Sequence, residues 1–281
     1  MARGSRARVA DAGGRSNLAL RLLTAAVTVP FIFYLLYWAP RWAFPCVAAT
    51  TCALGAYELF AMVAPEHRLL RVFGIGASLA MFALTLLPQA KPFMAPGVVA
   101  LTGAGMLIAL RAPQPIEQAA ARMGWAVAGP LYMGALFGAL ADLYWHANGG
   151  SWVLLALICG FLSDTAGYFV GRRFGRHKLN ELVSPKKTIE GSIGGLAGGV
   201  LGALIAHFTI LPELGLLPAI ALSLVATALG QAGDLCESLI KRSVGVKDSG
   251  TILPGHGGIL DRSDAMLFSA AAVWLYVTFL A

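Results

Sequence analysis

Residues 234 to 264 hold the side chains best suited to chemistry. Asp234, Ser238 and Lys241 stand at i, i+4 and i+7, which puts them on one face of a helix. After Lys241 and Arg242 the chain enters a Gly- and Pro-containing segment and restarts at Asp261, Arg262, Ser263 and Asp264. Asp261 and Asp264, three residues apart, share a face of the helix expected to begin there. Between the two helices lie Lys247, Asp248 and His256, while Gly245, Gly250, Gly255, Gly257 and Gly258 let the backbone approach something closely. Carboxylates at two helix ends, cationic side chains and a glycine-rich loop suit a divalent metal holding a polyphosphate.

The elements that must position these groups are membrane helices. The 281 residues are 58% hydrophobic and 12% charged, with a mean hydropathy of +0.72, which excludes a soluble domain and indicates an integral membrane protein. The fold class is all-α and polytopic, with nine apolar spans near the ~20 residues that cross a bilayer. They are expected at 18–38, 42–63, 70–87, 93–110, 121–141, 152–172, 192–210, 216–240 and 262–280. This divides the chain into a basic segment (1–17), N-terminal helices (18–110) and a catalytic region (111–281) with loops at 173–191 and 241–261. The first stretch is too long for the apolar part of a signal peptide and no small-residue cleavage site follows Trp38, so an uncleaved span is expected. The four cysteines, Cys46, Cys52, Cys159 and Cys236, lie in apolar runs without metal-ligand spacing and read as small hydrophobes.

Of the 21 Lys and Arg residues, only Arg41 and Lys91 fall in the odd-numbered loops. The positive-inside rule therefore puts the N-terminus and the loops after spans six and eight in the cytoplasm. Glu58, Asp164, Asp234 and Glu237 lie within spans, the first three about 8–12 Å below the cytoplasmic end at 1.5 Å per residue. Asp261 and Asp264 stand at the entrance of the ninth. Acids inside a bilayer are costly and usually functional, and four helices placing carboxylates at one depth suggest a water-filled cavity open to the cytoplasm. No motif surrounds Glu58, so a bond to a neighbouring helix or a loop cation explains it as well as chemistry does. Asp164 shares its face with Gly160, Gly167 and Gly171; helix packing accounts for the glycines and leaves the carboxylate to function. The small-xxx-small series from Gly191 to Gly202 indicates close helix packing rather than a phosphate loop, because no basic residue accompanies it. His146 and His207 are isolated and carry no functional reading. The basic N-terminus suits acidic lipid headgroups.

A second polar stretch precedes the seventh span. Lys186 and Lys187 follow Pro185 and precede Thr188 and Glu190 at the foot of a helix. Glu190 and the helix N-terminus would orient the loop, leaving the lysines to meet phosphate.

Three motifs together resemble the phosphatidate cytidylyltransferase (CDP-diacylglycerol synthase) family. The longest runs from Ser238, Lys241 and Arg242 through Lys247-Asp248 and Pro254-Gly-His256-Gly-Gly258 to Asp261-Arg262-Ser-Asp264. Ser184-Pro-Lys186-Lys187-Thr188-Ile-Glu190-Gly191 and Ser163-Asp164-Thr-Ala-Gly167-Tyr168 are similar to two others. They cover the C-terminal half in the family's order; the first hundred residues carry no comparable signature. The resemblance implies CTP and phosphatidate as substrates, CDP-diacylglycerol and pyrophosphate as products, and Mg²⁺ as cofactor. Mapped onto this chain, it implies Asp234 and Asp261 as metal ligands with Asp264 and Asp164 beside them, and Lys241 and Arg242 as catalytic cations. Ser184, Lys186, Lys187, Ser238, Lys247, Asp248, His256 and Arg262 complete the substrate-binding set. Asp248 is expected to hold Lys247 or the loop, and His256 to bond a phosphate. Four acids exceed what one Mg²⁺ usually recruits, which leaves room for a second cation. A CTP-dependent polyprenol kinase is the nearest alternative and an ion-coupled transporter a more distant one, since charges crowd toward one face and no internal repeat is visible. Membrane lipids are the surroundings and nucleic acid is not a partner; the small-residue faces permit a homodimer without requiring one.

Overall fold

The structure is a computed structural model, and it describes residues 26–111, 113–252 and 257–281. The basic N-terminal segment, the start of the first expected span and His256 lie outside the described residues. Helix α1 is described over Ala26–Tyr37. It is followed by α2 (Ala43–Val63), α3 (Arg68–Leu86) and, after a 3₁₀ turn at Lys91–Phe93, α4 (Met94–Leu110). The fifth span is continuous but irregular: α5 (Ala119–Pro130) passes through a π turn (Leu131–Ala135) into α6 (Leu136–Trp145). Then come α7 (Gly149–Phe174), α8 (Ile189–Thr209), α9 (Leu216–Ser243) and α10 (Leu260–Phe279).

Seven of these spans are long and apolar enough to cross a membrane. Helix α1, of which 12 residues are described, and α10, which opens on Asp261, Arg262 and Asp264, complete the expected polytopic series. The chain is a multi-pass membrane protein, because only helices that satisfy their own backbone can line up this much apolar surface in lipid. One expectation needs amending. The loop after the sixth span contains an antiparallel hairpin, β1 (Lys178–Asn180) and β2 (Ser184–Thr188), with Lys178 opposite Thr188 and Asn180 opposite Ser184. The Asn180 side chain accepts the Val183 N–H at 3.1 Å and closes the turn.

Close helix contact, rather than bulky interdigitation, joins the C-terminal helices. A Cβ on Gly191 would stand 2.9 Å from the Gly167 carbonyl, and one on Gly202 would stand 3.0 Å from Ile158. The glycine series of α8 is thus a packing face against α7, as its spacing predicts. Gly167 and Gly171 share this contact, but Gly160 faces open space. Gln231 of α9 stitches the three helices: its amide donates to the Ser192 carbonyl (3.1 Å) and to Ser163 Oγ (3.3 Å), and it accepts from the Ser192 hydroxyl. A Cβ on Gly233 would reach the Asp264 carbonyl at 2.9 Å, so α9 and α10 also run in backbone contact there. Because Ser163 precedes Asp164 and Gln231 lies one turn before Asp234, these contacts place three acid-bearing turns side by side. All four cysteines are free, and Cys52 and Cys159 are buried among apolar groups.

At the other end of the bundle, Asp142 is a buried acid that the sequence reading passes over. Its carboxylate accepts from Lys91 Nζ (3.2 Å) and from the Trp274 indole (2.8 Å), with His146 at 3.7 Å. This ties the 3₁₀ turn before α4 and helices α6 and α10 together. His207 bonds the Leu214 carbonyl at 2.6 Å. Both histidines therefore have structural partners.

Candidate functional site

The site is built where the hairpin, the end of α9 and the start of α10 meet. Thr188 caps α8 by accepting the Gly191 N–H at 3.1 Å. Glu190 reaches back to accept the backbone N–H groups of Arg176 (3.0 Å) and His177 (3.3 Å) and to bond the His177 ring at 2.7 Å. The hairpin is therefore clamped at its base, which is the orienting role expected of Glu190. Lys178 donates to the Pro185 carbonyl at 2.6 Å. Successive side chains of a strand point to opposite faces: Lys186 is exposed, whereas Lys187 pairs with Asp234 at 2.5 Å. Ser184, at the head of β2, is half-buried.

Asp234 is one focus of charge. Ser238 lies at 3.5 Å from its other oxygen, the limit of a hydrogen bond. Asp234 also interacts electrostatically with Asp164 and with Asp264, and Asp164 with Lys187 and Arg262. Asp264 is buried, and its carboxylate accepts the Ala265 N–H at 2.7 Å. Hard carboxylate oxygens whose fields overlap have the right donor chemistry for a hard divalent cation. As they stand, no three Asp, Glu, His or Cys side chains among the described residues are close enough to enclose an ion.

Lys241 is the second focus. Its ammonium is an ion-pair partner of Glu237, one turn earlier on α9, and of Asp261 at 2.6 Å. Glu237 is fully buried, and its Oε1 has no hydrogen-bond partner among the described residues. Asp261 is saturated: one oxygen takes Lys241, and the other accepts the Ser249 N–H (2.9 Å), the Ser249 hydroxyl (2.9 Å) and the Gly258 N–H (2.8 Å). Arg242 turns away to the Val246 carbonyl at 3.2 Å. Lys247 and Asp248 are exposed, and among the described residues no ion pair joins them; Ser249 and Asp261 hold the loop instead.

Three participants escape sequence reasoning. Ser249 is the hydroxyl shared by the loop and Asp261. Glu237 was legible as an intramembrane acid but had no role attached. Tyr132 sits on the π turn, a distortion frequent at functional sites. Its hydroxyl is buried without a partner among the described residues, its ring lies tilted at 6.0 Å from that of Phe268 of α10, and it lies in the fields of Asp264, Glu237 and Asp234. The π turn was the one available signal, and it is not visible in residue types.

Fold and site define a polytopic membrane protein with carboxylates and lysines gathered at one end of its bundle. The chain belongs to the cytidylyltransferase family, whose sequence pattern matches residues 19–280. Curated relatives named phosphatidate cytidylyltransferase include one from Staphylococcus haemolyticus, 41% identical over 139 residues (48% of this chain and 54% of that protein). Another, from Mycobacterium bovis, is 41% identical over 175 residues (60% and 55%). A third, from Staphylococcus epidermidis, is 43% identical over 123 residues (44% and 47%). The chain spans about half the length of the curated relatives it matches.

Proposed function

We propose that the chain transfers the cytidylyl group of CTP to phosphatidate, giving CDP-diacylglycerol and pyrophosphate. The observation that carries the reading is the pairing of Lys187, on a clamped hairpin, with Asp234 on α9, beside Lys241 held between Glu237 and Asp261. Cations and acids from separated motifs are thereby stored against one another where a polyanion and its counter-ion would replace those pairings. The family and the names of its curated relatives support the same substrates. The loading of Lys and Arg onto the even-numbered loops supports a site facing the cytoplasm, where CTP is available.

In the reaction an ionised oxygen of phosphatidate forms a bond to the α-phosphorus of CTP. The bond from that phosphorus to the bridging oxygen breaks, and its electron pair leaves with pyrophosphate. The attacking oxygen carries no proton at neutral pH, so no general base is required. The obstacle is repulsion between two anions, and preorganised cations lower it. Lys187 and Lys241 are assigned to the phosphates, and Lys186, Arg242, Lys247 and Arg262 to the rim of the same field. Ser184, Ser238, Asp248 and His256 are assigned to substrate binding around it. Asp234, Asp264 and Asp164 would hold Mg²⁺; Asp261 joins them only by exchanging Lys241 for the ion. When bound, the metal supplies charge neutralisation between the reacting phosphates. Phosphatidate's acyl chains remain in the lipid between helices.

The test is pyrophosphate release from CTP by the purified chain, with and without phosphatidate and Mg²⁺, following labelled cytidine into lipid. Dependence on both additions is expected, and Asp234→Asn should abolish turnover in a folded protein. Phosphorylation of a polyprenol without cytidine incorporation would move the chain to the kinase reading. Full activity in Asp234→Asn would remove the metal assignment.

A further inference from the structure

Glu58 is the one acid of the N-terminal helices that reaches the site, and nothing in the proposed chemistry uses it. It lies near the end of α2 and is 2% exposed. One carboxylate oxygen accepts the Leu260 N–H at 2.9 Å and stands 3.1 Å from the Ser249 hydroxyl; the other is buried without a partner among the described residues. Leu260 is the first residue of α10, so its N–H is one of those a helix leaves unsatisfied at its start. The next, that of Asp261, is 3.3 Å from Ser249 Oγ. A carboxylate at this terminus is favoured by the helix dipole as well as by the hydrogen bond.

The glycines around this contact have a matching explanation. A Cβ on Gly250 or on Gly258 would collide with the Glu58 carboxyl group. The close backbone approach that these glycines permit is therefore made to a side chain of α2. Ser249 Oγ lies between Glu58 (3.1 Å) and Asp261 (2.9 Å), and its single hydrogen serves one carboxylate at a time. Glu58, Ser249, Asp261 and Lys241 thus form one connected chain from the N-terminal helices to the lysine of the site.

We infer that Glu58 is a positioning residue: it fixes the start of α10 and the Ser249 loop, and through them sets where Asp261 holds Lys241. The inference rests on the reading of Lys241 and Asp261 as reaction machinery, but its structural half can be measured without turnover. Four variants of the full chain would be compared in detergent: Glu58→Leu, Glu58→Gln, Ser249→Ala, and Glu58→Leu with Ser249→Ala. Glu58→Leu should lower kcat about tenfold to a hundredfold, the scale of lost hydrogen bonds to a charged group, with KM for CTP changed less than about threefold. Amide exchange at Ser249 and Leu260 should rise by a similar factor. Glu58→Gln keeps an acceptor for the Leu260 N–H and should recover most of both losses. The double variant should be little worse than the poorer single one, because both break the same chain.

Losses that multiply in the double variant, or unchanged kcat and exchange in Glu58→Leu, would overturn the inference. If Glu58→Leu does not fold, Ser249→Ala must still raise exchange at Leu260 and lower kcat; failure to do either also overturns it. If the unaltered chain releases no pyrophosphate, the functional reading falls, while the exchange measurements still decide whether Glu58 secures the loop.

Discussion

Replacing Lys241 with methionine isolates the electrostatic argument. The lysine side chain is 12% exposed and serves two carboxylates, that of Glu237 at 0% and that of Asp261 at 7%. Methionine fills a similar stem volume, so the principal loss is charge. Breaking a buried ion pair from one side is destabilising by about 3–5 kcal/mol, because the partner is left uncompensated. At ~2–4 °C per kcal/mol for a chain of this size class, the unfolding midpoint should fall by about 6–20 °C. The two acids are not equally stranded. Asp261 keeps the N–H groups of Ser249 and Gly258, whereas among the described residues Glu237 has no hydrogen-bond donor to replace the lysine. Adding Glu237→Gln to Lys241→Met should therefore recover about half or more of the lost stability without restoring turnover. Thermal unfolding followed by tryptophan fluorescence, beside pyrophosphate release, measures both. A Lys241→Met midpoint within about 2 °C of the parent would refute the reasoning, as would a double variant no more stable than the single one.

Two further outcomes follow from the same geometry. Lys187→Met should lower kcat/KM for CTP by about a hundredfold, in the range seen when one preorganised donor is removed, while Lys186→Met, altering the opposite face of the strand, should lose less than about tenfold; equal losses would contradict the division of the pair. Tyr132→Phe removes a buried hydroxyl that has no partner among the described residues, so its midpoint should not fall, and a drop in kcat of about tenfold would identify the hydroxyl as a substrate contact; an unchanged kcat would confine Tyr132 to packing against Phe268.

What the residue pattern could reveal depended on range. Hydropathy located the spans, because twenty apolar residues in a row are a local property: the expected second and eighth spans, 42–63 and 216–240, became Ala43–Val63 and Leu216–Ser243. The positions of Asp234, Lys241, Asp261 and Asp264 were legible for the same reason, since helical spacing predicts shared faces. The hairpin at Lys178–Thr188 was not, because its strands are short, partly exposed and carry Pro185 and three lysines instead of apolar alternation. Nor was Glu58's partner, because the hydrogen bonds to Ser249 and Leu260 join residues 191 and 202 positions apart. The glycines near 250 announced that something approaches the backbone; only three-dimensional contact shows that it is an acid from α2.

That contact also bears on why so many carboxylates can coexist in one corner of a membrane protein. Isolated, each would be expensive to keep in a dry interior. Here Lys187 answers Asp234, Lys241 answers Glu237 and Asp261, the start of α10 answers Glu58 with the Leu260 N–H, and the loop before it answers Asp261 with the Ser249 and Gly258 N–H groups. Asp264 and Asp164 are less fully answered, and both lie in the field of Asp234. On the proposed reading, arriving nucleotide draws Lys187 toward phosphate, which would leave Asp234, Asp164 and Asp264 with surplus negative charge. Binding of a divalent cation and of a polyphosphate should then favour one another, since each removes the charge the other leaves unpaired. On that reading such a site would hold neither ligand well alone, and its occupancy by the pair would follow from electrostatics without any large movement of the helices that carry it.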